Sequence, residues 1–96
     1  MAAFFVSTVT VKDKEKFQQY AKRAAETFAP HGGELVLRGQ FDAVLAGEDN
    51  HHAVGIVRFP DRAALSAWYG SDEYQALIPL RDKAAEMTLV AYSEPS

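Results

Sequence analysis

The sequence has no cysteine, so disulfides, thiolate metal sites and a cysteine nucleophile are all excluded. It has no run of Lys or Arg, and its formal charge is −3, so nothing would neutralise a line of phosphates or hold an anionic membrane. Nucleic acid and membrane partners are therefore not expected. No apolar stretch approaches the ~20 residues of a membrane span. The apolar N-terminus lacks a basic leader and is interrupted by Ser7, Thr8 and Thr10, which does not suit a signal peptide. These absences together suggest a cytoplasmic protein. Motifs for hydrolysis and nucleotide binding are missing as well: there is no Gly-x-Ser-x-Gly elbow, and Gly32 and Gly33 follow a helix where a phosphate loop would precede one.

What is present reads as one domain over residues 1–96. At 48% hydrophobic and 24% charged residues, the composition is that of an ordinary folded chain. Ala3 to Val11 is rich in Phe, Val and Thr and reads as a strand. Asp13 is placed to cap a helix whose apolar stripe is Phe17, Tyr20, Ala21, Ala24 and Phe28, and Pro30, Gly32 and Gly33 end it. A second strand begins at Glu34. Gly39 is expected to mark a bulge, with apolar strand character resuming over Phe41 to Ala46. Gly47 to Asn50 is a polar turn leading to a third strand, Ala53 to Phe59, which completes a hairpin. Asp61 and Ser71 suggest caps for two short helices, with Pro79 in a first turn and Leu77, Leu80, Arg81 and Ala84 on one face. Met87 to Tyr92 is the last strand, before a polar tail from Ser93 to Ser96.

Strand, helix, strand, strand, helix, strand is the order of the α+β ferredoxin-like fold, βαββαβ, with an antiparallel sheet and its helices on one face. A sheet with one wet face should alternate apolar and polar residues. Here the first strand carries Phe4 and Val6 on one side and Phe5, Val9 and Val11 on the other. The second face needs a cover, and a second copy of the chain supplies one, predicting a homodimer. The alternative is a monomer whose second face is polar in the true register.

The segments GGELVLRG, Gly32 to Gly39, and FPDRAALSAWYGSDEYQALIPLRDKAA, Phe59 to Ala85, resemble the bacterial family called domain of unknown function 1330, within the dimeric α/β barrel superfamily. The likeness runs from about Ala3 to Tyr92. It implies a ferredoxin-like protomer whose open sheet face packs on its mate to close a shared barrel. It implies no single activity, because that superfamily includes cofactor-free monooxygenases, haem proteins, isomerases and plain binding domains. The family pattern favours Gly33, Arg38, Gly39, Trp68, Tyr69, Ser71, Tyr74 and Gln75. Members often carry Arg near His52 and an acidic residue near Arg58, so charge-dependent roles at those places do not transfer.

Four residues stand out as binding candidates. Arg38 sits at the end of an apolar run beside Gly39 and suits a carboxylate clamp, or else pairs with an acid such as Glu48 or faces solvent. Trp68 and Tyr74, with Tyr69 between them, form either a pocket wall or packing at the core or dimer seam, and Tyr20 is a fourth wall. His51 and His52 point to opposite sides of an extended segment and cannot share a metal, while His31 falls at a helix end. No metal, haem or other cofactor is expected. Two functions fit: a cofactor-independent enzyme acting on a small acidic or carbonyl-bearing metabolite, or a non-catalytic dimeric small-molecule-binding or regulatory module.

Overall fold

The structure, a computed structural model, describes residues 1–95; Ser96, the end of the expected tail, lies outside them. Four strands, β1 (Ala3–Val11), β2 (Glu34–Gln40), β3 (Ala53–Phe59) and β4 (Ala85–Ser93), form one antiparallel sheet in the order β2-β3-β1-β4. The helices are α1 (Lys14–Phe28), α2 (Arg62–Tyr69), α3 (Asp72–Gln75) and α4 (Ile78–Ala84). This is the expected ferredoxin-like α+β fold.

Burial along β1 alternates residue by residue, with Ala3, Phe5, Ser7 and Val9 buried beneath the helices and Phe4, Val6, Thr8 and Thr10 half-buried on the other face. The Asp13 carboxylate accepts the Lys16 N–H at 3.0 Å and starts α1. A 3₁₀ turn, Ala29–His31, ends it, followed by Gly32 at φ +75°, where a Cβ would be strained. Gly33 is needed for another reason: a Cβ there would lie 2.6 Å from Cε1 of Phe59.

The second helical region breaks into three pieces, not two. Asp61 caps α2 through the Ala64 N–H at 2.7 Å, and Ser71 caps α3 through the Tyr74 N–H at 3.3 Å. Pro79 falls in the first turn of α4, where its missing N–H would have had no helical partner. The core gathers around Trp68. Its ring stacks on Phe5 with centroids 4.9 Å apart and meets Phe28 at 5.4 Å and Phe59 at 5.5 Å, while its indole N–H donates to the Thr27 hydroxyl at 2.8 Å.

Two further expectations are corrected. Phe41 to Ala46 does not resume a strand: β2 and β3 are joined by an irregular segment over 41–52, in which Leu45 is 99% exposed. With no strand beside it, an apolar run has no ladder to join. The bulge lies at Val36, not Gly39. Leu35 pairs with Val57 and Leu37 with Ile56, leaving Val36 as the extra residue.

Candidate functional site: the cleft between α1 and the sheet

That bulge decides where Arg38 goes. In an unbroken register Leu37 would face Gly55 and Arg38 would face Val54, on the side of the sheet without helices. One extra residue reverses every later side chain. Arg38 therefore pairs with Gly55, which pairs with Ser7, which pairs with Leu89, in a row across the helix side of all four strands. The next row, Gln40, Ala53, Val9 and Met87, lies on the same side.

Above these rows runs α1, and where Gly55, Ala53 and Ser7 lie beneath Ala21, Ala24 and Ala25, small residues on both layers leave a cleft of about 590 Å³. Apolar atoms dominate its walls, with Phe5, Phe17, Phe28, Leu35 and Leu89 among them. Its polar side chains are Arg38, Gln40, Ser7 and Tyr20. A volume of several hundred Å³, apolar walls and a few polar groups suit a small-molecule site. The Ser7 hydroxyl donates to the Gly55 carbonyl at 3.3 Å. Arg38 is exposed at the rim and makes no salt bridge among the described residues, with Glu48 or any other acid.

The four binding candidates do not share one wall. Arg38 and Tyr20 line this cleft. Trp68, 1% exposed, instead borders a smaller cleft of about 350 Å³ with Arg62, Leu65 and Tyr69. Tyr74 is 0% exposed and borders neither, so its contact with a ligand can only be indirect. That route exists: the Tyr74 and Tyr20 hydroxyls are 2.8 Å apart.

Behind the tyrosines stands Arg81, a half-buried residue that the helix-face pattern had shown beside Leu77 and Ala84 without assigning it a role. Its Nη1 donates to the Tyr74 hydroxyl at 3.1 Å and, more weakly, to the Tyr69 hydroxyl at 3.5 Å, and its Nε meets Asp82 at 3.3 Å. Burial works against the Arg81 charge, but hydrogen bonds to Tyr69 and Tyr74 outweigh it and raise its pKa further. Burial is also the main reason that Tyr20 is pushed well above the ordinary tyrosine range, so it keeps its proton at any physiological pH.

The histidines stay apart from the cleft. His31 borders a surface groove with Arg23, Glu26 and Glu73, and His51 contacts Thr10 at 3.4 Å near the hairpin end. No group of three His, Cys, Asp or Glu residues able to hold a metal ion occurs among the described residues. No helix among them is long and apolar enough to cross a membrane.

The family described as Domain of unknown function (DUF1330) matches residues 2–94. No curated protein matches the chain. Among solved structures, a protein of unknown function from Rhodopseudomonas palustris is similar over 99% of this chain and 83% of its own, with 19% identity and a TM-score of 0.84. SnoaB, a cofactor-independent oxygenase from Streptomyces nogalater, is similar over 99% of this chain and 94% of its own, at 18% identity and a TM-score of 0.70. A dimeric ferredoxin-like protein of unknown function from Thermobifida fusca is similar over 98% and 92%, at 13% identity and a TM-score of 0.67. At these identities the likeness shows the fold alone.

Proposed function

This chain belongs to the domain of unknown function 1330 family, and we propose that it is a homodimeric protein whose α1 cleft takes a small acidic or carbonyl-bearing metabolite, on which it acts without a cofactor. The observation that carries the reading is the bulge at Val36, which turns a guanidinium with no salt bridge among the described residues onto the cleft side of the sheet, opposite a residue with no side chain. Arg38 clamps the ligand's carboxylate at the rim, the apolar walls hold its body, and Tyr20 offers a hydroxyl inside. Trp68 and Tyr74 support the site from behind. The fold shared with the S. nogalater cofactor-independent oxygenase is compatible with such chemistry.

One observation favours the second reading, a non-catalytic binding module. Among the described residues, Arg38 and Tyr20 are the ionisable side chains of the cleft, and none of its lining is a carboxylate or imidazole to serve as a general base. A thermal-shift screen with small carboxylates tests the binding claim. Incubating each stabilising acid in air with stoichiometric protein then separates the readings: a changed acid marks the enzyme, and an acid recovered intact marks the binding module.

A further inference from the structure

The chain of hydroxyls behind the cleft has a direction. An arginine guanidinium has N–H groups and no acceptor, so it can only donate. Arg81 therefore fills an acceptor position on the Tyr74 oxygen, at 3.1 Å. Tyr74 is 0% exposed, and among the described residues the one oxygen within reach of its own proton is that of Tyr20, at 2.8 Å. Either hydroxyl could donate across this pair, and the direction that leaves no fully buried proton unpaired is Tyr74 donating to Tyr20. The Tyr20 oxygen is then occupied as an acceptor, and its proton has no acceptor among the described residues, although the residue lines the cleft. A buried donor left without a partner is costly, and a ligand acceptor removes that cost.

We infer that Arg81, acting through Tyr74, sets the Tyr20 hydroxyl as a hydrogen-bond donor to a ligand in the α1 cleft. The preferred ligand accordingly carries an acceptor oxygen, such as a ketone, on its apolar body in addition to the anionic group held by Arg38. The inference rests on the cleft being the binding site and narrows its ligand to keto acids with an apolar body over their deoxy analogues. Arg81 is a positioning residue: it reaches the Tyr20 hydroxyl only through that of Tyr74.

The test is calorimetric, with two acids that differ only at one oxygen, 4-oxo-4-phenylbutanoate and 4-phenylbutanoate. Wild-type protein is expected to bind the oxo acid roughly tenfold more tightly, since a site built to donate to an acceptor rejects an analogue without one. Tyr20→Phe, whose melting curve reports that it is folded, should bring the affinities of the two acids together. Arg81→Met should reduce the difference and Arg81→Lys, which keeps a donor, should restore part of it. Equal affinities in the wild type, or a preference that survives Tyr20→Phe, overturns the inference while the cleft reading stands. If neither acid binds the wild type at millimolar concentration, the cleft reading falls and takes the inference with it.

Discussion

Phe4 and Tyr92 face one another across β1 and β4, their rings stacked at 5.4 Å and tilted by 21°, on the side of the sheet that bears no helix. Beside them Leu37, Ile56, Val6 and Val90 form an aliphatic row across all four strands, with Leu37 51% and Val90 41% exposed. An exposed apolar face of this kind marks an interaction surface. Static light scattering at micromolar concentration is expected to report a dimer, and Val6→Asp, which plants a charge mid-row, a monomer. A monomeric wild type would remove the dimer from the account.

Trp68 is the keystone of the core because three aromatic rings and one hydroxyl meet it. Trp68→Ala should cost about 3–5 kcal/mol in chemical denaturation. Trp68→Phe should cost less, with the Thr27 hydroxyl keeping its bond to the Ala24 carbonyl.

Gly33→Ala should destabilise by about 1–3 kcal/mol, as expected for overpacking, because the added methyl would collide with the buried ring of Phe59. A calorimetric melt checks it; an unchanged midpoint would mean that the ring has room to move.

Arg58 and Glu94 form a two-pronged surface pair at 2.8 and 3.2 Å. The hydrogen bond from Arg58 holds the Glu94 carboxyl below the usual glutamate range. A carboxyl whose folded pKa is lowered contributes stability above its unfolded value, about 4.3, and loses it as pH falls through the lower folded value. Wild type should therefore exceed Glu94→Gln slightly at pH 7. The gap should close in acid below about pH 4, and also in high salt. A gap that widens in acid would contradict the assignment.

Local signals in the sequence carried most of the fold. The Phe-, Val- and Thr-rich strand Ala3 to Val11, the caps at Asp13, Asp61 and Ser71, and the stop at Gly32 all rest on neighbours a few residues apart, and the structure has each of them. What sequence reasoning missed depends on distant partners. Nothing distinguishes Val36 from Leu37 along the chain; the bulge falls there because of the register against β3. Glycine made Gly39 the more obvious place for it. Tyr20 and Tyr74 are 54 residues apart, and Arg81 reaches them only because separate short helices carry Tyr69, Tyr74 and Arg81 to one place. An arginine on the apolar face of α4, between Leu77 and Ala84, was the one sign of that cluster in the sequence.

The claim that Arg38 anchors a small acid in the α1 cleft is tested most directly by titrating the carboxylate that most stabilises the wild type into Arg38→Ala, with the melting midpoint of each protein measured before ligand is added. The account predicts that binding falls at least tenfold while the unliganded midpoint and the oligomeric mass stay as in the wild type. Undiminished binding, or an Arg38→Ala protein that melts early or dissociates without ligand, would contradict it.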